Sequence, residues 1–181
     1  MDESRIYTKG MTAELPTLPA LKHLGDLAGT LPTVVIDSRE QWPIPIRRLP
    51  TIRGGLYSGD YSISGMENVF AIERKSIPDL VSCCAGSNRE RLEHELHRLR
   101  GYRFKRLLII GTQEQIERGD YRSQIKPASV MGSLAAWEIR FDIPVVWAPT
   151  PENAAAIVEK WAWYFAREAI EAANGLWRGN R

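Results

Sequence analysis

The stretch Gly59-Asp60-Tyr61-Ser62-Ile63-Ser64-Gly65-Met66-Glu67-Asn68-Val69-Phe70-Ala71-Ile72-Glu73-Arg74-Lys75-Ser76 decides how this chain is read. Two strand-like runs, Leu56 to Ile63 and Val69 to Arg74, flank Ser64 to Asn68, a turn-rich spacer suited to a hairpin. Residues two apart in a strand share a face, so Glu73 and Lys75 point one way and Arg74 the other. A hairpin closed by that spacer sets Asp60 at or near the neighbouring strand. Two carboxylates and a lysine then converge at one end of a sheet.

Upstream, Val34-Val35-Ile36 is a β-branched run ending in Asp37 and reads as a buried strand, followed by a loop through Trp42, Pro43 and Pro45. Downstream, Ser76 with Asp79 makes a capping-box start, and Pro78 sits in the first turn of that helix. Gly86 breaks the run, and Ser87 with Glu90 offers a second box. Leu92, Leu96 and Leu99 then form an apolar stripe at helical spacing. Leu107 to Ile110 reads as a buried strand. After an irregular segment, Pro127 opens a helix with Val130, Leu134 and Trp137 on one side, and Pro144 to Trp147 is a further strand. Thr150 and Pro151 start a last helix that turns Ala154, Val158, Trp161 and Phe165 inward. Strands alternating with helices after a hairpin imply an α/β chain with a mixed central sheet and helices on both faces.

Size and composition bound the possibilities. A chain of 181 residues, 44% hydrophobic and 25% charged, buries one good core. With 24 basic against 22 acidic side chains the net charge is only +2, so attraction to nucleic acid has to come from local clusters. Cys83 and Cys84 are adjacent and too few for a disulfide framework, which suits a reducing compartment with both thiols packed as small apolar groups. The start of the chain carries no leader-like apolar segment, and the longest apolar runs are strand-sized. A soluble cytoplasmic protein, or a nuclear one in a eukaryote, is expected, with no membrane contact. Residues 1–32, broken by Pro16, Pro19 and Pro32, read as an N-terminal extension, with a helical turn around Ala20 to Leu24.

The converging trio suits phosphodiester hydrolysis. Carboxylate oxygens hold Mg²⁺ or Mn²⁺, which keep several waters and share coordination with substrate phosphate. The metal activates a water, and a nearby ammonium orients it or offsets charge on the phosphate. Asp37, at the end of the first strand, is a further carboxylate candidate; Glu40 is less secure, since the loop after Asp37 can turn either way. Asp79 is placed either to ligate a metal or to cap its helix. Taken singly, Glu73 with Lys75 reads as a surface ion pair and Asp60 as a turn former. Together, between runs that read as buried strands, they need another reason.

Val35-Ile36-Asp37-Ser38-Arg39-Glu40, Gly59-Asp60-Tyr61, Ile72-Glu73-Arg74-Lys75-Ser76 and Asp79-Leu80 together resemble the nuclease domain of the XPF-type structure-specific endonucleases. That family belongs to the restriction-endonuclease-like nucleases. It carries a Gly-Asp step, then Glu-Arg-Lys with an Asp four residues beyond the lysine. Arg91-Leu92, Glu95 and Arg98-Leu99 continue the likeness, as do Leu107 to Ile110 and Ile143 to Val146. It spans residues 33–168, leaving 169–181 as a C-terminal tail. The resemblance implies an α/β/α restriction-endonuclease-like core and a Mg²⁺-dependent endonuclease, with Mn²⁺ able to substitute. It implies catalysis by Asp60, Glu73, Lys75, Asp37 and Asp79, with metal held by Asp60, Glu73 and Asp37. It further implies branched or flap DNA as substrate in repair, recombination or replication, and a homodimer or heterodimer formed through the C-terminal part of the domain.

Two features depart from the family. Glu95 stands where a Gln is usual, and Ala169 to Arg181 follow Glu168, where the family commonly carries a tandem helix-hairpin-helix module. DNA contacts are expected from Arg74, Arg91, Arg89, Arg98 and Arg39, within basic clusters suited to phosphate. The same Arg89 to Arg106 stretch also reads as a solvated helix face balanced by Glu90, Glu93 and Glu95. His94 and His97 read as surface residues, and Trp137, Trp161 and Trp163 as core or interface. Two other functions share this fold: a catalytically inactive DNA-binding scaffold and a restriction-type nuclease.

Overall fold

The computed structural model describes residues 31–178. The extension read over 1–32 therefore lies, except for Leu31 and Pro32, outside the described residues. In chain order the elements are β1 (Val34–Asp37), β2 (Thr51–Gly54), β3 (Tyr61–Ile63), β4 (Phe70–Ser76), α1 (Ile77–Ser82) and α2 (Gly86–Leu99). Then come β5 (Phe104–Ile110), α3 (Gln113–Arg118), α4 (Pro127–Phe141), β6 (Val145–Ala148) and α5 (Pro151–Arg178). The six strands form one mixed sheet in the order β2-β1-β3-β4-β5-β6. β3 runs antiparallel to both β1 and β4, while β1–β2, β4–β5 and β5–β6 are parallel.

Each sheet face carries its own core. On one side Leu92, Leu96 and Leu99 of α2 meet Leu107 and Ile109 of β5, together with Val130, Leu134 and Trp137 of α4. On the other, Val34, Tyr61, Phe70, Ile72 and Leu108 meet Ala154, Val158 and Ala162 of α5. The alternation of Ala71 with Phe70 and Ile72 between these cores is the two-residue period of a strand covered on both faces. Each fully buried Leu or Ile contributes on the order of 2 kcal/mol. The α/β class, the mixed sheet and the inward faces of α2, α4 and α5 are as the sequence predicts.

Local details differ from the expectation. The run Leu56 to Asp60 is not strand: β3 begins at Tyr61, because Gly59 takes φ +80° and brings its backbone against the Ile72 carbonyl. β2 is an added edge strand whose exposed Thr51-Ile52-Arg53 has no apolar alternation to announce it. α2 starts at Gly86 with no side-chain cap, so Ser87 and Glu90 do not act as a box there. The segment before Pro127 contains α3, closed by a Thr112–Gln115 capping box and by Gly119 in the left-handed region. The last helix continues through residues 169–178, the stretch read as a tail. Of the helices described, none is long and apolar enough to cross a membrane.

Candidate active site

The register of three neighbouring strands builds the site. Ile36 of β1 lies opposite Tyr61 of β3, and Tyr61 opposite Ile72 of β4. The next row of residues, Asp37, Asp60 and Glu73, therefore lies abreast on the other sheet face. Backbone bonds hold the row: Asp37 N–H donates to the Asp60 carbonyl (2.8 Å), and Asp60 N–H to the Ile72 carbonyl (2.8 Å). Lys75, two residues beyond Glu73, faces the same way. These four side chains line a cleft of about 230 Å³, closed on its far wall by Arg91, Glu95 and Arg98 of α2.

Within the cleft the carboxylates are not equivalent. Both oxygens of Asp37 are taken: Oδ1 accepts from Arg39 N–H and Arg39 Nε (each 2.8 Å), Oδ2 from Arg39 NH2 (2.9 Å) and Leu56 N–H (2.8 Å). The Arg39 guanidinium holds the Asp37 carboxyl down to about 2, against the opposing push of burial. Asp37 thus anchors the loop that leads into Gly59 and Asp60. Asp60 and Glu73 behave oppositely. Burial pushes Asp60 up to about 6, against the pull of Lys75. Burial, reinforced by the Asp60 charge, pushes Glu73 up to about 8.

Lys75 Nζ donates to Glu73 Oε1. Burial on its own pushes Lys75 down, but the charges of Glu73 and Asp60 outweigh it and hold the ammonium above its ordinary range. Buried Glu73 and half-buried Asp60 face one ammonium, so with both carboxyls ionised the trio carries one more negative charge than positive.

Other candidates lie elsewhere. Arg74 turns to the opposite sheet face, where its guanidinium forms a two-point pair with Glu40 (Nε to Oε2 and NH2 to Oε1, each 2.9 Å) and its side chain is 13% exposed. The expected DNA contact at Arg74 is thus corrected to a structural ion pair, and Glu40 turns away from the cleft. Asp79 is outside the cleft as well. Its N–H donates to Ser76 Oγ (3.3 Å), and Ser76 Oγ donates to Asp79 Oδ2 (2.6 Å), so it caps α1 instead of joining the acidic group. Arg89 joins α2 to α4, donating to Ser133 Oγ (2.8 Å) and pairing with Glu93 (2.9 Å) over the Trp137 ring. Arg39, Arg91 and Arg98 do line the cleft.

Sequence reasoning missed Glu95, Tyr57, Ser58 and Cys83 as cleft residues. Glu95 was legible, since Arg91, Glu95 and Arg98 share one helical face. Tyr57 had no such signal, because only the bend at Gly59 brings it to the cleft.

Among the described residues, no three His, Cys, Asp or Glu side chains cluster closely enough to hold a metal unaided. The donor set fits a hard divalent cation nonetheless. Asp60 and Glu73 present oxygen to one cleft beside Lys75, and Mg²⁺ commonly binds through one or two carboxylates plus water.

Comparison with known proteins identifies the domain and its fold. Residues 36–160 match the family model of the ERCC4 domain. XPF from Aeropyrum pernix has a similar fold, with a TM-score of 0.58 at 22% identity over 79% of this chain and 69% of that one. XPF from Aeropyrum pernix in complex with DNA matches with a TM-score of 0.58 at 22% identity over 76% of this chain and 66% of that one. The chain thus spans about two thirds of the length of the structures it matches. No curated protein matches the sequence. The family match covers well over half of the chain and takes in Asp37, Asp60, Glu73 and Lys75. This chain belongs to the ERCC4 domain family and has the XPF-type nuclease-domain fold.

Proposed function

We propose that this chain is a divalent-metal-dependent endonuclease that hydrolyses phosphodiester bonds in branched or flap DNA. The observation that carries the reading is the convergence of Asp60, Glu73 and Lys75 in one cleft, with two carboxylates facing one ammonium. Asp60 and Glu73 would hold Mg²⁺, with Mn²⁺ as a substitute, and the ion supplies an activated water and charge stabilisation at phosphate. Lys75 stands beside both carboxylates, placed to orient the attacking water or meet charge on the phosphate oxygens. Asp37 keeps Asp60 in place through the Leu56 to Gly59 loop. Arg39, Arg91 and Arg98 are the cations at the cleft that would contact backbone phosphate. The family and the DNA-bound XPF structure support DNA as the partner.

The same reading includes an assembly through α5. Leu31, Trp163 and Tyr164 are exposed around an apolar hollow of about 830 Å³ on the side of α5 away from the catalytic cleft. Such a surface supports pairing with a second copy or a homologous partner. Sedimentation equilibrium of the chain alone tests the pairing of two copies, and a monomer at high concentration refutes that pairing.

Incubating the protein with end-labelled linear, flap, splayed-arm and four-way DNA tests the activity, with Mg²⁺, Mn²⁺ or EDTA. Cleavage in Mg²⁺ that is lost in EDTA and in Asp60→Ala supports the reading; cleavage that survives Asp60→Ala and Glu73→Ala sinks it. Binding without cleavage in either metal makes the chain a scaffold. Equal cutting of every substrate removes the preference for branches.

A further inference from the structure

We infer that Tyr57 is a base-stacking platform at the lip of the cleft, holding an unpaired nucleotide beside the scissile phosphate. The inference rests on the nuclease reading and deepens it by naming a residue that selects the substrate.

Tyr57 lines the cleft and is 79% exposed, in a segment whose neighbours Leu56 and Ser58 are both buried. Its outward position is built in. Leu56 N–H donates to Asp37 Oδ2 (2.8 Å), and the Leu56 carbonyl accepts from Arg39 NH2 (2.9 Å). Ser58 Oγ accepts from Arg98 Nε (3.0 Å). Beyond it, Gly59 bends at φ +80° and Asp60 N–H joins β4. The backbone is thus held on both sides of a side chain that faces solvent.

The ring has a cation beside it. The Arg98 guanidinium lies 5.9 Å from the ring centroid while also bonding Ser58. An exposed aromatic with an arginine beside it, next to a group suited to phosphate, is the combination that binds single-stranded nucleic acid. Ordering costs are low because the loop is already fixed. Paired bases are stacked within the duplex and offer no face to a ring at the lip, whereas an unpaired base does. Trp42 is as exposed, at 80%, but does not line the cleft and has no comparable placement.

The test compares the wild type with Tyr57→Ala and Tyr57→Phe, measuring Kd by fluorescence anisotropy in EDTA. The probes are a blunt duplex and a splayed-arm DNA carrying 2-aminopurine at the first unpaired position. Tyr57→Ala is expected to weaken the splayed arm by roughly 5- to 100-fold and the duplex by less than about two-fold. Tyr57→Phe should stay within about two-fold of wild type on both, because the stacking face is retained. Bound 2-aminopurine should be quenched by wild type and Tyr57→Phe and remain bright with Tyr57→Ala. Equal effects of Tyr57→Ala on both DNAs, or none on either, overturn the inference while leaving the nuclease reading intact. Failure of the wild type to bind any DNA overturns both.

Discussion

Asp60 and Arg74 are joined across the β3–β4 ladder, where the Arg74 N–H donates to Asp60 Oδ2 at 2.7 Å. The Arg74 side chain meanwhile leaves for the opposite face to meet Glu40. One residue thus serves both sides of the sheet, its backbone orienting a cleft carboxylate and its guanidinium closing a buried ion pair.

Removing either cleft carboxylate should separate activity from stability. Asp60→Asn and Glu73→Gln are expected to lower cleavage by about 100-fold or more, since each would delete an oxygen donor to the proposed ion. Both should raise Tm in EDTA, because each removes a carboxylate charge that burial disfavours and leaves the other to pair with Lys75. Single-turnover cleavage and thermal melts check the two halves; a fall in Tm would show that these carboxylates stabilise the metal-free fold.

Stability in EDTA should fall as pH rises. Asp60 and Glu73 titrate near 6 and 8 when folded, against about 4 in an unfolded chain, so the folded state binds more protons across that interval. Unfolding free energy therefore declines from about pH 4 to about pH 8, by roughly 2 kcal/mol or more. Asp37 has the opposite sign, its contribution being lost only as pH falls from about 4 through about 2. Urea melts across this range check the trend. Added Mg²⁺ should stabilise the protein at about pH 8 far more than at about pH 5, where protons compete for the same oxygens.

Breaking the Glu40–Arg74 pair should harm the fold and spare DNA affinity. Arg74→Ala leaves a buried carboxylate unpaired, at about 3 kcal/mol. The double variant Glu40→Gln with Arg74→Met should recover much of that loss in chemical denaturation. A selective loss of DNA binding by Arg74→Met, with stability unchanged, would return Arg74 to the DNA interface.

Salt dependence should tell the arginines apart. Arg91→Ala and Arg98→Ala are each expected to weaken DNA binding and to reduce the slope of log K against log salt by about 1. Arg89→Ala should leave that slope unchanged and lower Tm, since its guanidinium joins α2 to α4. Titrations at several salt concentrations measure this.

Much of the architecture was legible from local pattern. The two-residue period placed Glu73 and Lys75 on one face and Arg74 on the other, and the spacing of Leu92, Leu96 and Leu99 identified the buried side of α2. Capping chemistry located the start of α1, although it read Ser87 as a cap that the turn at Gly86 makes unnecessary. β2 and α3 escaped because neither carries an apolar pattern: β2 is exposed from Thr51 to Arg53, and α3 buries only Ile116.

The amino-acid sequence by itself determined which residue types could do the chemistry and which way each points from its own strand or helix, because those follow from backbone period and local caps. Only the tertiary structure decided which of them are available. Strand register set Asp37, Asp60 and Glu73 abreast, and long-range partners then sorted them. Arg39 and the Leu56 N–H occupy Asp37, the Arg74 guanidinium occupies Glu40, and Ser76 takes Asp79, while Asp60, held by one backbone N–H, and Glu73 share a single lysine as their cation. A carboxylate's chemistry depends on how many donors and charges surround it. Those neighbours come from distant parts of the chain, where no local periodicity records them.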